Sequence, residues 1–569
     1  MKIDWDVPIR MDDGLELRAD VFLPNESSSD SGRRYPALLT YGPYGKGLAF
    51  QDGYKTAWEI MAKENPDALA GSSNKYQNWE VVDPEKWVPD GYVVIRVDSR
   101  GAGRSPGFLS HNDPRETRDI HLCIEWAAQQ PWCTGKVGMN GISYYASNQW
   151  RAAASQPPHL AAICAWEGWN DAYRESARHG GLICSFRKNW QEMQVKTVQH
   201  GYPKGGRSRV TGESVCGPET LGEDELIKNR ENMWEAFLSR ELDGPYYRER
   251  SADLSKVTVP LLSAANWGGQ GLHTRGNFEG FVRSKSKDKW LECHGGSHWA
   301  PFYTDYGVAL QKKFFGYFLK GEKNGWDKQP RVLLNVRHPG EKFVQRHENE
   351  WPLARTKWTR FFLHRDLSLS EDEKGGEGTV SYDPMGNGVT FSVTVRKQTE
   401  ITGPSALKLF LSSATNDADV FAVLRVFDPK GDEVLFQGAL DPKTPVGQGW
   451  LRASHRKLDP KLSLPYRPWH THDRLEKLTP GRPEELDIEI WPTCIVVPAG
   501  WRVSLTIRGR DYEHDFAAAT LSNMKNPMKG CGPFTHEDPT DRPLDVFGGK
   551  VTLHLEKKPY VLLPIIPED

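Results

Sequence analysis

The run Gly138-Met139-Asn140-Gly141-Ile142-Ser143-Tyr144-Tyr145-Ala146 sets a serine between an apolar lead-in and a helix expected over Tyr145 to Ala154. A strand that bends sharply into a helix holds such a serine hydroxyl clear for nucleophilic attack, and small neighbours let the strained backbone turn. Gly-x-Ser alone is a common tripeptide. It acquires meaning only with a base, a carboxylate that orients the base, and donors for a developing oxyanion. His298 is the candidate base, because it stands in the loop after the last strand expected in the N-terminal half, downstream of the serine. His294 competes with it, and the His294-x-x-x-His298 spacing also suggests a metal pair. Gly295 and Gly296 separate the two on an expected loop rather than on one helical face, so the metal reading is disfavoured. His470-Thr471-His472 beside Pro468 reads as a loop for the same reason. No metal and no cofactor is expected.

Strands and helices alternate around these residues. Tyr35 to Tyr41, Gly91 to Asp98, the lead-in to Ser143 and Leu160 to Ala165 read as buried strands. Thr117 to Gln129 carries Ile120, Cys123, Ile124 and Ala127 at helical spacing. Such alternation predicts a mostly parallel sheet with right-handed crossovers, an α/β core. Asp12-Asp13-Gly14 marks a hairpin at the start. The loop Ser99 to Gly107 is glycine-rich but lacks the Lys-Ser/Thr ending of a phosphate cradle, so a structural turn is expected. From 168 to 254 the chain is polar and partly helical, an insertion suited to capping the site. Leu261 to Ala264 and Lys289 to Cys293 resume the sheet, and Tyr306 to Leu319 closes the first domain. The expected division is 1–167 with 255–325 for the α/β domain, 168–254 for the cap, and 326–569 for a β-sandwich. In the last, short strands such as Val332 to Val336, Trp358 to His364 and Ala406 to Leu411 recur without helices between them, as in a jelly roll.

At 569 residues the chain exceeds one ordinary core. Its net charge of -2 argues against a nucleic-acid binder held by counterion release. Eight cysteines without a C-x-x-C pair are expected to be buried small hydrophobes in a reducing compartment. No apolar run of signal-peptide or membrane-span length occurs, so a cytoplasmic protein that engages no membrane is expected. Tryptophan is abundant at 21 residues, and Trp166, Trp169 and Trp299 neighbour the candidate catalytic residues, which suggests an apolar substrate pocket.

Several motifs together resemble the X-Pro dipeptidyl-peptidase/CocE–NonD hydrolase family. They are Asp98-Ser99-Arg100-Gly101-Ala102-Gly103-Arg104-Ser105, Trp126 with Gln130-Pro131-Trp132, Gly141-Ile142-Ser143-Tyr144, Asp171-Ala172-Tyr173-Arg174, Thr402-Gly403-Pro404, and Asp417-Ala418-Asp419-Val420. The resemblance spans nearly the whole chain. It implies an α/β-hydrolase domain, a helical cap and a C-terminal jelly roll, with Ser143 as nucleophile and His298 as general base. It also implies an oxyanion hole made by the hydroxyl of Tyr44, from Gly42-Pro43-Tyr44, and the backbone N–H of Tyr144.

One departure stands out. The family carries its catalytic Asp in a Gly-Trp-Tyr-Asp-type motif, whereas this chain reads Ala265-Asn266-Trp267-Gly268-Gly269, with Gly268 in the place of the acid. A carboxylate at the end of the preceding strand reaches the same histidine, and Glu167 stands there. Asp171, Glu279 and Glu292 are weaker alternatives. The expected activity is a serine hydrolase that cleaves an ester, or less readily an amide, through an acyl-enzyme. An acyltransferase or cyclase would use the same serine with a different acceptor, and a non-catalytic binding protein on a hydrolase scaffold is the third reading. The expected partners are a small-molecule ester or amide and, at most, a second copy of the chain in a homodimer.

Overall fold

The computed structural model describes residues 1–26, 32–373 and 377–568. The N-terminal hairpin pairs β1 (Lys2–Arg10) with β2 (Glu16–Leu23), turning at Asp12 to Gly14. Then β3 (Tyr35–Gly42), β4 (Val93–Asp98), β5 (Cys133–Ile142) and β6 (Leu160–Trp166) follow. The insertion contains a two-residue-strand hairpin, β7 (Arg178–His179) with β8 (Leu182–Ile183). The chain returns through β9 (Leu261–Asn266), β10 (Lys289–His294), β11 (Val332–His338) and β12 (Lys342–Glu348). One ten-stranded sheet results, in the order β1-β2-β4-β3-β5-β6-β9-β10-β11-β12. From β4 across to β11 the ladders are parallel, and antiparallel pairs close both edges.

Parallel strands covered on both faces read as near-continuous apolar runs, and β4 and β9 are buried at every position, their polar members Arg96, Asp98, Ser263 and Asn266 included. Helix Pro114–Ala128 buries Ile120, Cys123, Ile124 and Ala127, the stripe read from spacing, and Asp113 caps it by accepting from Glu116 N–H. The sheet runs further than the boundary at 325. Val332 to Val336 was expected in the β-sandwich, yet β11 lies parallel to β10 and pairs with β12. A short apolar run such as Val332 to Val336 suits either sheet, so its pattern alone does not assign it. The remaining strands form an eleven-stranded sheet with antiparallel ladders, the jelly roll, around its own core of Leu407, Leu409, Leu424, Ile488 and Leu505.

The insertion consists of short helical turns, among them Ala172–Ala177, Phe186–Trp190, Glu223–Lys228 and Met233–Leu238. The glycine-rich loop after β4 is a structural turn: Asp98 accepts from the backbone N–H groups of Lys46 and Arg104. A Cβ on Gly103, at φ 55°, would sit 2.2 Å from the Asp98 carboxylate. All eight cysteines are buried and unbridged. Among the described residues no helix is long and apolar enough to cross a membrane.

Candidate active site

Ser143 sits between β5 and helix Tyr144–Ala154 at φ 60°, ψ -110°. Its N–H donates to the carbonyls of Trp166 and Glu167, and its carbonyl accepts from Ser147 N–H, so the turn is fixed from both sides. A side chain on Gly141 would collide with Tyr145 at 2.6 Å, which explains the glycine two residues before the serine. The nearest imidazole to the hydroxyl is one the motif reading missed: Ser143 Oγ lies 2.8 Å from Nε2 of His273. Nδ1 of that ring accepts the Trp169 N–H at 3.2 Å, so Nε2 carries the hydrogen and donates to the serine. Burial and the neighbouring His298 hold His273 neutral, well below the ordinary histidine range.

His298 lies in the same cleft with its ring stacked on His273, centroids 5.5 Å apart. Its Nε2 is 2.7 Å from Glu80 Oε1, and its Nδ1 is 3.4 Å from Glu167 Oε1. The longer contact is an ion pair rather than a well-formed hydrogen bond. Glu167 leads onward, with Oε2 3.3 Å from His294 Nε2, while His294 Nδ1 is 2.7 Å from Glu292 Oε2. Tyr306 donates to Glu292 Oε1 at 2.9 Å, and Asn335 Nδ2 donates to both of them at 3.2 and 3.1 Å. Glu80, His298, Glu167, His294 and Glu292 therefore form a buried alternation of acids and imidazoles behind Ser143.

The charges decide how it is protonated. Burial alone would lower His298 and His294, but the flanking carboxylates outweigh it and raise both to about 10. Burial pulls Glu167 up, and the two imidazoles overcome this to leave it below the usual glutamate range. Glu80 is raised, because burial outweighs its hydrogen bond from His298. Both histidines thus bind a proton in the folded chain at pH values where the unfolded chain has released it. Their contribution to stability is complete below about 6.5 and is lost as pH rises toward about 10. Thermal unfolding followed across that window is expected to show a falling midpoint, with a shallower fall in His298→Gln.

Glu80 had no sequence signal. It lies in the excursion between β3 and β4, is 2% exposed, and adopts φ 65°. Its carbonyl accepts from Ile142 N–H at 3.0 Å, and Val81 bridges Gly141, so the excursion is pinned against the end of β5. Glu167 adopts φ 52°. Three non-glycine residues in the left-handed region meet at this site, each costing about 1–3 kcal/mol. Strain of this size persists only where the surroundings over-determine the geometry.

The other expected site residues fall as follows. Tyr44 is buried and lines the cleft, and its hydroxyl accepts from Trp190 Nε1 at 3.0 Å. Tyr144 opens the helix, where a backbone N–H has no partner within the helix. Its side chain turns away to donate to Glu116 at 2.5 Å. Asp171 caps the turn Ala172–Ala177 and pairs with Arg174 at 3.0 Å. Glu279 is bound to Arg467.

Trp166, Trp169 and Trp299 do not line the cleft. Trp166 stacks on His294, Trp169 lies between the guanidinium groups of Arg151 and Arg187, and Trp299 packs on Trp79. The cleft walls come instead from Trp79, Phe186 and Trp190 together with Leu440, Met524 and Phe534 of the C-terminal half.

The missing acid also has a structural account. Aligned on Trp267, the family Asp falls at Gly269, one residue beyond Gly268, and both positions are glycine. A Cβ on Gly268 would lie 2.6 Å from Gly438 Cα and 2.8 Å from the Gln437 carbonyl. One on Gly269 would lie 2.6 Å from Thr274 Oγ1. Gly269→Asp, which puts the acid at the aligned position, is expected to destabilise the protein by about 1–3 kcal/mol and to leave activity unimproved. Chemical denaturation and an ester assay of that variant check this.

A family model described as X-Pro dipeptidyl-peptidase (S15 family) matches residues 13–300. A second, for the X-Pro dipeptidyl-peptidase C-terminal non-catalytic domain, matches 324–520. The chain belongs to the S15 X-Pro dipeptidyl-peptidase family. Members of this family are serine hydrolases, both esterases and peptidases. The chain is 26% identical over 506 residues to cocaine esterase of Rhodococcus sp. (strain MB1 Bresler), covering 75% of this chain and 80% of that one. It is 20% identical over 575 residues to the Xaa-Pro dipeptidyl-peptidase of Streptococcus gordonii, covering 87% and 72%. A solved CocE/NonD family hydrolase from Staphylococcus aureus superposes with a TM-score of 0.83 at 30% identity, covering 99% of this chain and 94% of that one. This S15 family relationship makes the α/β-hydrolase core and the jelly roll common ground, and leaves esterase against peptidase to the site.

Proposed function

We propose that the protein is a serine esterase that works through an acyl-enzyme on Ser143 and accepts a substrate with a bulky apolar group. The observation that supports this reading is the strained, cleft-facing Ser143, bonded to His273 Nε2–H in a cleft that Glu80 and His298 of the acid–imidazole chain also line. Attack by Oγ on an ester carbonyl places the oxyanion between two donors, the Tyr144 N–H and the hydroxyl of Tyr44. Because Tyr44 already accepts from Trp190, its own proton is free to point into the cleft. Burial and the nearby Glu80 keep that hydroxyl protonated, well above the ordinary tyrosine range.

Esters are favoured over X-Pro peptides by the charges at hand. A dipeptidyl-peptidase needs a spare acid for the substrate amine, and among the described residues lining the cleft the one carboxylate is Glu80, already engaged by His298. The apolar walls also suit transfer of the acyl group to an alcohol rather than to water. Product analysis with an ester donor plus an alcohol separates the two outcomes. The test of the reading itself is labelling by a fluorophosphonate. Stoichiometric labelling that disappears in Ser143→Ala supports it, and absence of labelling in the folded wild type contradicts it.

A further inference from the structure

We infer that His179, Cys184 and His536 hold a divalent transition cation, Zn²⁺ by the character of the donors, where the insertion meets the C-terminal half. The two imidazoles face each other, with His179 Nδ1 2.7 Å from His536 Nε2. The outer nitrogen of each ring is already committed as a donor. His179 Nε2–H reaches the Glu175 carbonyl at 3.1 Å, and His536 Nδ1–H reaches Asp511 Oδ1 at 2.8 Å. The second Asp511 oxygen accepts the His536 backbone N–H at 2.6 Å, so this carboxylate acts as an acceptor on both sides. A carbonyl and an ionised carboxylate only accept, so in two neutral rings the facing nitrogens both present lone pairs. Lone pairs opposed at that distance need a cation between them. Cys184 supplies a third donor, and one atom from each residue lies within 4.8 Å of the other two. All three residues are buried, and the two imidazoles pack against Phe421, Trp450 and Trp491.

The set has the chemistry of a zinc site. Imidazole nitrogens and a thiolate suit Zn²⁺, and both histidines carry the outer partner that fixes the tautomer and tilt of a ligating ring. Tetrahedral bonds put two nitrogens about 3.4 Å apart, so the rings part by about 0.7 Å from their 2.7 Å separation to take the ion. Charge balances as well. The two positive charges are met by the Cys184 thiolate, whose proton leaves on binding, and by the Asp511 carboxylate behind His536. Asp511 and His536 also line a cavity of about 320 Å³ through which the ion enters. No motif spacing marks the set, because His179 ends β7, Cys184 follows β8, and His536 lies far downstream. The ion cross-links the hairpin of the insertion to the segment that carries Phe534. Phe186 and Phe534, each two residues from a ligand, have ring centroids 5.1 Å apart, and both line the cleft. The metal therefore fixes a wall of the cleft and takes no part in the chemistry at Ser143.

The test is made on the whole chain, stripped with a chelator and titrated with Zn²⁺ and with Co²⁺. One equivalent of either ion is expected to bind and to raise the unfolding temperature. The Co²⁺ form is expected to show a thiolate-to-cobalt charge-transfer band and the strong visible bands of tetrahedral cobalt. Cys184→Ala is expected to lose the charge-transfer band, and His536→Gln the stoichiometric binding, with circular dichroism confirming that each is folded. Cys123→Ala, at a buried cysteine of the α/β domain, is expected to bind as wild type does. Asp511→Asn leaves all three donors in place and is expected to weaken Zn²⁺ binding about 10- to 100-fold. X-ray absorption of the wild-type Zn²⁺ form needs no variant, and one sulfur with imidazole nitrogens is the expected ligand set. The inference is overturned if the folded wild type takes up no stoichiometric metal, which means that the two rings share a proton instead. It is equally overturned if the bound ion has no sulfur ligand, or if folded Cys184→Ala keeps the wild-type cobalt spectrum, which places the ion elsewhere.

Discussion

Ser143→Ala is expected to lower kcat for an ester by ~10⁶-fold while the unfolding temperature barely moves. The change deletes one oxygen. Alanine keeps the Cβ, so the left-handed backbone at φ 60° bears no new steric load, and the carbonyl contacts to Trp166 and Glu167 use the backbone alone. What is lost is the hydrogen bond from His273, worth about 1 kcal/mol net, against the whole of the covalent route. Turnover and thermal unfolding measured on one preparation check the split. A residual rate near wild type would mean that another group in the cleft performs the chemistry.

The second large effect separates two acids four residues apart. Glu167→Gln is expected to reduce kcat/KM by ~10⁴-fold, the scale seen when the carboxylate behind a catalytic histidine becomes an amide. Glu167 is fully buried, its N–H is bonded to the Ala264 carbonyl at 2.7 Å, and its two oxygens divide between His294 and His298. A neutral amide leaves two buried imidazolium groups short of one counter-charge, which changes the protonation of the whole chain of contacts. Asp171→Asn touches none of this. Its carboxylate caps Tyr173 and Arg174 N–H groups and pairs with the Arg174 guanidinium, so its loss is expected as a lowered unfolding temperature with activity within tenfold of wild type. Wild-type-like turnover in Glu167→Gln together with an inactive but folded Asp171→Asn would reverse the assignment.

Much of the scaffold was legible because it rests on local rules. Gly141 and Ser143 mark a turn that only small residues permit, apolar strands alternate with amphipathic helices, and Asp113 caps the helix read from Ile120 to Ala127. Of the groups that meet at the candidate site, those that follow the strand ends were legible. Ser143, Glu167 and His298 lie just beyond β5, β6 and β10, the edge where a parallel sheet presents its loops. Glu80 and His273 escaped because their place in the cleft comes from tertiary contact. A glutamate in a fifty-residue excursion looks solvated until Ile142 N–H and the Val81 bridge pull it to the elbow. His273 looks like the first turn of helix Thr274–Arg283 until Trp169 fixes its tautomer. The cleft walls escaped for the same reason, since Leu440, Met524 and Phe534 reach it from the other domain. Trp166, Trp169 and Trp299 show the converse: adjacency in sequence to a site says nothing of which face a side chain takes.

The most direct measurement is to trap the covalent intermediate. The enzyme is mixed with a slowly deacylating p-nitrophenyl ester, quenched in acid, and its intact mass and digested peptides are recorded. The expected result is one acyl group per chain, on the peptide containing Ser143, formed at least as fast as steady-state turnover and absent from Ser143→Ala. Turnover of the same ester with no acylated chain, or with the acyl group on another residue, would contradict the account.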